Sequence, residues 1–311
     1  MEISEKIKGA IIGYAIGDAL GLGTEFMTVP EVRRNYPEGL HSLSQIIRDG
    51  HRCQWERGEW TNDTELFLLL ADSVMERDGL DHLDYTRRMK RWYETGPTDL
   101  VSVYRKVMSD PQWEEDPIGT AHRIWRTHKI DEASNEGIYR AVFTGILSGD
   151  DLVDDTVRLV LLTHDDRRCL SSAVVIARMT QALMWEEKEP PFEELESICD
   201  SIDSRTLPFL RNARNGSLED LKLDDEDTAW YTRKSMSAAL WSLWHCSSAE
   251  ETLHTIVNAG GDADTNAALS MALAGIKYGF SQLPAETAKM LHYDHALDVA
   301  ERFAAYMEKK H

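Results

Sequence analysis

The amino-acid sequence predicts an all-α protein built from many helices. Apolar residues recur at helical spacing over long stretches, as at Leu66, Leu69 and Leu70. Alternation of apolar and polar residues, the pattern typical of a half-buried strand, is almost absent. Glycine and proline fall between the helical stretches rather than between pairs of strands. We therefore expect a single domain over residues 1–311, without internal repeats.

The composition is that of a folded globular protein with an acidic surface. Of the 311 residues, 42% are apolar and 28% are charged, close to the globular average. The formal net charge of −20 argues against a general nucleic-acid partner, since phosphate backbones are bound by clustered basic surfaces. Acidic side chains gathered in one cleft would attract cations, but the same charge could serve only solubility.

Cysteine usage and the N-terminal segment both predict a soluble, cytoplasmic protein. The four cysteines are scattered and form no CxxC pair, so neither a zinc site nor a disulfide framework is indicated. The first residues, with Glu2 and Glu5, lack the basic segment that opens a signal peptide. No apolar run reaches the roughly 18 residues of a membrane span, so we expect no membrane binding.

The first predicted element is a tightly packed helix that ends in an acidic turn. Its sequence GYAIGDALG, residues 13–21, is followed by Thr24, Glu25 and Phe26. The glycines alone are weak evidence of function, because the dinucleotide-binding fingerprint requires a preceding strand. The polar segment 30–58 that follows is predicted to be a long connection, and such loops commonly carry specificity.

A polar cluster, Thr61-Asn62-Asp63-Thr64-Glu65, stands immediately before an apolar run and so lies at the start of a helix. Helix capping is one interpretation, since Asn62 followed three residues later by Glu65 fits a capping box. Metal binding is the other, because hydroxyl and carboxylate oxygens are the ligands of hard cations. Taken alone, the pattern favours the cap.

The middle of the chain is less informative. Segments 95–116 and 201–227 are predicted to be further long connections, and Pro190-Pro191 predicts a corner between helices. The pair Thr163-His164 has the local pattern of a helix-start cap beside a hydrogen-bonded histidine.

A second polar cluster, residues 260–266, opens a helix rich in small residues. One cap needs one side chain, whereas Asp262, Asp264 and Thr265 offer three oxygen donors beside a glycine pair that frees the backbone. Should the two polar clusters meet in the fold, their pocket would need a cation, because close carboxylates raise one another's pKa.

Five motifs, in order along the chain, resemble those of the ADP-ribosylglycohydrolase family. They are GAIIGYAIGDALG with Glu25, WTNDTELFLLLADS, SNEGIYRA, LLTHDD and AGGDADTNAALSMALAGIKYG. The resemblance implies a compact orthogonal multi-helix domain with a dinuclear metal cleft. It also implies a hydrolase that cleaves an N- or O-glycosidic bond at C1″ of ADP-ribose, in an ADP-ribosylated protein or a small ADP-ribose conjugate.

The same resemblance implies two divalent ions, Mg²⁺ or Mn²⁺, and the catalytic residues Glu25, Asp63 and Asp264. The implied metal ligands are Thr61, Asn62, Asp63, Asp262, Asp264 and Thr265. Asn62 stands where the family usually has an aspartate. Its amide oxygen can bind a cation, but it brings no negative charge.

The resemblance further implies that Asn135 and Gly137 belong to a loop around the ADP-ribose phosphates, and that His164 donates to or accepts from a ribose hydroxyl. Glu136 departs from the family pattern, and its carboxylate would repel a phosphate if it pointed inward. Two alternatives therefore stay open. The protein could be a catalytically weak or inactive ADP-ribose-binding regulator, or a hydrolase of a related ribosylated nucleotide metabolite.

Overall fold

The computed structural model describes residues 1–98, 100, 102–130, 133–147, 149 and 151–311. Within these residues the regular structure is helical, which confirms the all-α class, and an isolated β-bridge joins Met27 to Gly261. None of the described helices combines the length and the apolar character needed to cross a lipid bilayer. The α-helices, in chain order, are α1 Ile3–Gly21, α2 Val29–Asn35, α3 Asn62–Arg77, α4 His82–Glu94, α5 Ser102–Met108, α6 Pro117–His128, α7 Arg140–Leu147, α8 Leu152–Leu161, α9 Arg167–Gln181, α10 Phe192–Ile202, α11 Leu207–Asn215, α12 Thr232–His245, α13 Ala249–Val257, α14 Ala263–Tyr278 and α15 Tyr293–Lys310.

The chain divides into two compact units. The first, here the terminal unit, comprises Met1–Thr64 and Pro208–His311, and the second, the central unit, comprises Glu65–Leu207. A single domain over residues 1–311 stays a prediction. The terminal unit brings the two ends of the chain together, so the first and second polar clusters belong to the same unit.

The terminal unit is built on the pairing of α1 with α14. Glycines at every fourth position of α1 face the backbone of α14: a Cβ at Gly13 would lie 2.4 Å from the carbonyl oxygen of Met271, and one at Gly17 would lie 2.4 Å from that of Ala267. The two helices therefore approach more closely than side chains would allow. Helices α12 and α13 pack on α14, and α15 packs on α1. Both central helices are consequently buried on almost every side, as helices without an amphipathic pattern must be.

The central unit is organised around α9, on which α7, α8 and α10 pack. Asp166 caps α9 by accepting a hydrogen bond from the backbone nitrogen of Arg168. The predicted corner at Pro190-Pro191 lies between α9, with its short π-helical extension Ala182–Glu186, and α10.

The three predicted long connections each contain a short helix, which corrects the prediction. All but the first residue of helix α2 lies within 30–58, α5 lies within 95–116 and α11 lies within 201–227. Each has only seven to nine residues, too few for a clear apolar periodicity among polar neighbours. A signal for α2 was nevertheless present, because Thr28 and Glu31 form a capping box with proline in the first turn.

Candidate active site

Three buried carboxylates come together in the terminal unit. Glu25 follows α1, Asp262 is the cap residue of α14, and Asp264 lies in its first turn. Each offers an oxygen that lies within 4.8 Å of an oxygen from the other two. The exposed fractions are 2%, 7% and 3%, so the three negative groups meet where little water can screen them.

Backbone pairing joins the turn that carries Glu25 to the loop that carries Asp262. The amide of Phe26 donates to the carbonyl oxygen of Gly261 at 2.6 Å, and the amide of Gly261 donates to Met27 at 2.8 Å. Gly261 has a φ of +70°, and a Cβ there would lie 2.0 Å from the carbonyl oxygen of Leu223. Only glycine fits this approach, in agreement with the predicted role of the glycine pair.

The first polar cluster reaches the second through a hydrogen bond. The hydroxyl of Thr265 donates to Oδ2 of Asp63 at 2.8 Å, and both residues are buried. Thr61 and Asn62 are buried beside them. Helix α3 begins at Asn62, so Thr61 rather than Asn62 precedes it, and the Thr61 hydroxyl accepts from the amide of Asp63 at 3.3 Å. The expected meeting of the two clusters is therefore present.

Asp18 of α1 is a site residue that sequence reasoning did not find. Its carboxylate accepts from the amides of Thr61 and Thr64 at 3.0 Å each, and from the Thr64 hydroxyl at 2.6 Å. Burial raises the pKa of Asp18 to about 6, against the opposing effect of these hydrogen bonds. Asp18 thus supplies acceptors to the first turn of α3, and the Asp63 carboxylate is not required for capping. The available signal was an acid inside residues 9–21, which are otherwise apolar and rich in glycine.

Asp264 has the features of a cation ligand. Its Oδ1 atom is buried without a hydrogen-bond partner in the described part of the chain. Burial, followed by the negative charges of Glu25 and Asp262, raises the pKa of Asp264 well above its usual value. The Asp262 side chain makes no capping hydrogen bond to α14 although it stands at the cap position. A buried orphan oxygen among oxygen-only donors fits a hard divalent cation.

His51 and Arg52, also missed from sequence, contact the turn that carries Glu25. His51 Nε2 lies 2.6 Å from Oε2 of Glu25. The Arg52 guanidinium donates through Nε to the carbonyl oxygen of Gly23 at 2.9 Å and through Nη2 to that of Glu25. Both residues lie in the polar connection 30–58, where no periodicity indicated which side chains would turn inward.

The predicted substrate-binding residues Asn135, Gly137 and His164 lie together in the central unit. Asn135 is 1% exposed and His164 is fully buried. A Cβ at Gly137 would lie 3.1 Å from Nδ1 of His164, so the glycine lets the loop pass closely over the imidazole. The Glu136 carboxylate lies 2.9 Å from His164 Nε2. Their role in binding stays a prediction.

The buried polar groups around His164 form an ordered hydrogen-bond chain. The Arg140 guanidinium donates to the Thr163 hydroxyl at 2.9 Å, and this hydroxyl lies 2.8 Å from His164 Nδ1. Burial lowers the pKa of His164, which favours the neutral imidazole. Arg140 is fully buried and also donates to the carbonyl oxygen of Leu159 at 2.7 Å. It therefore links α7 to α8 inside the central unit.

The chain is similar to known proteins over most of its length. A family model for ADP-ribosylglycohydrolase matches residues 1–311. An ADP-ribosylarginine hydrolase of Pseudomonas putida is 27% identical over 295 residues, which cover 91% of this chain and 73% of that protein. The ADP-ribosyl-dinitrogen-reductase glycohydrolase of Rhodospirillum rubrum is 24% identical over 282 residues, covering 91% of this chain and 88% of that protein.

A solved structure of an ADP-ribosylglycohydrolase-related protein complex has the same fold. It superposes with a TM-score of 0.71 at 24% identity and covers 98% of this chain and 99% of its own. The match of the family model over the whole chain confirms both the resemblance and the class of enzyme that it implied. The chain belongs to the ADP-ribosylglycohydrolase family of glycosidic-bond hydrolases.

Proposed function

We propose that the protein is a metal-dependent hydrolase that cleaves an N- or O-glycosidic bond at C1″ of ADP-ribose. It would release ADP-ribose from a modified protein or from a small molecule. The observation that supports this most directly is the buried group of Glu25, Asp262 and Asp264, whose oxygens lie within 4.8 Å of one another. Without a cation this group would set three like charges against each other, and the orphan oxygen of Asp264 adds a further cost.

The proposed cofactor is a pair of Mg²⁺ or Mn²⁺ ions. The residues proposed to hold them are Thr61, Asn62, Asp63, Asp262, Asp264 and Thr265. Bound there, the ions would supply positive charge that orients ribose hydroxyls and lowers the pKa of water. Every donor in this set is an oxygen, as hard cations prefer.

Glu25 and Asp63 are the carboxylates proposed for proton transfer. Hydrolysis of a glycosidic bond passes through an oxocarbenium-like transition state, and it needs one carboxyl group near the attacking water and another near the leaving atom. The surrounding carboxylates, Asp264 included, also stabilise the positive charge that develops on the sugar, because they are buried where charges interact strongly.

Asn135, Gly137 and His164 are proposed to bind the ADP-ribose moiety. Gly137 lets its loop lie close to the His164 imidazole, and the backbone amides of such a loop suit phosphate oxygens. Both ring nitrogens of His164 already take part in hydrogen bonds. A ribose hydroxyl would therefore have to replace Glu136 or Ser134 at Nε2.

The deciding experiment follows ADP-ribose release from arginine, serine and small-molecule conjugates, with Mn²⁺ or Mg²⁺ and with a chelator. We expect release that the chelator abolishes. Asp264→Ala should lose turnover by at least about a hundredfold, whereas Asp227→Ala, an exposed acid of the same unit, should retain it. Full activity of Asp264→Ala, or release that persists in chelator, would contradict the proposed centre.

A second candidate, an ADP-ribose-binding regulator with weak or no turnover, is favoured by one observation. Asn62 is buried at a proposed ligand position and lacks the charge of an aspartate. Binding of ADP-ribose without release from any conjugate would support this candidate, and Asn62→Asp should then raise Mn²⁺ affinity and turnover together. Release from small ribosylated nucleotides alone would instead support the metabolite hydrolase.

A further inference from the structure

The Glu25 carboxylate has a dedicated hydrogen-bond partner outside the acidic group. His51 Nε2 lies 2.6 Å from Oε2 of Glu25, and Glu25 is 2% exposed. A carboxylate oxygen only accepts, so this contact uses the tautomer in which Nε2 carries the hydrogen. A single imidazole N–H is thus directed at one oxygen of the carboxylate.

The imidazole of His51 also contacts two aromatic rings. The ring centroid of Phe26 lies 5.5 Å from that of His51, and the ring of Trp55 meets it edge-on at 5.3 Å. The His51 amide also donates to Oδ1 of Asp49 at 3.1 Å. These contacts restrict the orientations of the ring and favour the one in which Nε2 points to Glu25.

The residue next to His51 fixes the main chain of the same glutamate. Arg52 is 4% exposed, donates to the carbonyl oxygens of Gly23 and Glu25, and pairs with Asp49 at 2.5 Å. Phe26, which follows Glu25, has a φ of +57°, a costly value for a bulky side chain. Such strain persists only where surrounding contacts enforce it, and it concentrates at functional sites.

We propose that His51 is a positioning residue that holds the Glu25 carboxylate in the cation-binding group with Asp262 and Asp264. The inference rests on the proposed metal dependence, and it adds Glu25 to the proposed ligands of the substrate-free protein, because an oxygen of Glu25 lies within 4.8 Å of oxygens of Asp262 and Asp264. Repulsion from the other two carboxylates favours rotation of Glu25 out of the group. The hydrogen bond from His51 opposes that rotation, while Arg52 builds the turn. Loss of such an outer partner commonly costs about 10–100-fold in metal affinity.

The test is a Mn²⁺ titration of the purified protein without substrate, read by electron paramagnetic resonance or calorimetry. We expect His51→Ala to weaken Mn²⁺ binding about tenfold or more. His51→Gln should recover most of the affinity, because its amide nitrogen can donate to Glu25. His41→Ala is the matched control, since His41 lies in the same connection and its Nε2 contacts the carbonyl oxygen of Glu38 instead.

Equal Mn²⁺ affinity of His51→Ala and the wild type would overturn the inference, and so would a wild type that binds no Mn²⁺. A His51→Gln variant as weak as His51→Ala would overturn it as well, because hydrogen-bond donation would not be what matters. Equal melting temperatures in chelator establish that the variants fold. A wild type that binds Mn²⁺ but releases no ADP-ribose would refute the proposed function and leave this inference standing.

Discussion

The direction of each hydrogen bond around His164 can be assigned from residue chemistry. Arginine only donates, so the Thr163 hydroxyl accepts from Arg140 and gives its own hydrogen to His164 Nδ1. The neutral imidazole then carries its hydrogen on Nε2 and donates it to Glu136. One buried guanidinium therefore selects the tautomer of a histidine through a single hydroxyl. Removal of that hydroxyl should disturb groups on both sides.

We predict that Thr163→Val lowers the free energy of unfolding by about 1–3 kcal/mol, since it leaves donors and acceptors buried without partners. Thr180→Val is the matched control in the same unit. The Thr180 hydroxyl is buried without a partner in the described structure, so its loss should be neutral or stabilising. Urea unfolding of both variants provides the measurement, and equal losses would contradict the assigned chain.

The sequence alone identifies those site residues whose neighbours in the chain form a distinctive pattern. Asp262, Asp264 and Thr265 crowd more oxygen donors into one helix start than a cap can use. Asp18 and His51 were not predicted, because each contacts a partner more than twenty residues away in the chain. A single acid or histidine has no local pattern that distinguishes an inward from an outward side chain.

The contact between helices α1 and α14 leaves no space for added side-chain atoms. We predict that Gly13→Ala destabilises the protein by about 1–3 kcal/mol, because its Cβ would lie 2.4 Å from the backbone oxygen of Met271. Alanine otherwise favours a helix over glycine by about 1 kcal/mol, so the steric effect must exceed this gain. Gly50→Ala, where a Cβ meets nothing within 4 Å, is the control in the same denaturation assay. A stabilised Gly13→Ala variant would show that the helices can separate freely.

Helices α3 and α4 are joined by a buried acid that makes their stability depend on pH. Asp84 of α4 accepts from Ser73 and Arg77 of α3 at 2.8 Å each, and from Arg88 at 2.6 Å. Burial raises the pKa of Asp84, but the hydrogen bonds from Arg88, Arg77 and Ser73 outweigh this effect and lower it to about 2. A pKa lowered on folding stabilises the native state above the unfolded value. The benefit disappears as pH falls toward the folded value.

We therefore predict that Asp84→Asn loses about 2 kcal/mol of stability at pH 7. The gap between variant and wild type should stay constant down to about pH 4 and narrow below it. Chemical unfolding at a series of pH values measures the gap, with Asp298→Asn, an exposed acid of α15, as the control. A gap that persists unchanged at pH 3 would contradict the assignment.

Element by element, sequence reasoning succeeded where a helix was long or its start was chemically distinctive. The beginnings of α3 and α14 follow from polar clusters set against apolar runs. The short helices α2, α5 and α11 were mistaken for parts of connections, because seven to nine residues give too few turns to reveal a period. The close contact between α1 and α14 was predicted only in part. The small residues indicate that each helix packs tightly, but they do not show which helix is its partner.

For the whole molecule, the division into two units predicts an uneven response to metal. All proposed metal ligands belong to the terminal unit. A ligand at a hundredfold excess over its Kd stabilises the folded state that binds it by about 2.7 kcal/mol. We predict that Mn²⁺ slows amide hydrogen exchange in α1 and α14 more than in α8 and α9 of the central unit. Uniform slowing, or none, would contradict this expectation. The chelated protein provides the baseline.

The sequence could not foresee this division, because no flexible linker marks it. The boundary at Thr64 and Glu65 falls inside α3, and the one at Leu207 and Pro208 falls inside α11. Composition changes little across either point. Only the three-dimensional contacts reveal that residues near the two ends of the chain share one core.

The pairing of α1 with α14 also sets an order of events during synthesis. Helix α1 is synthesised well before α14, although α1 is buried on almost every side in the folded protein. At about 5–20 residues per second, α14 follows roughly ten to fifty seconds later. During that interval the glycine-lined face of α1 lacks the helix that covers it in the folded protein. The two metal ligands that α14 supplies, Asp264 and Thr265, are therefore also absent while α1 lacks its packing partner.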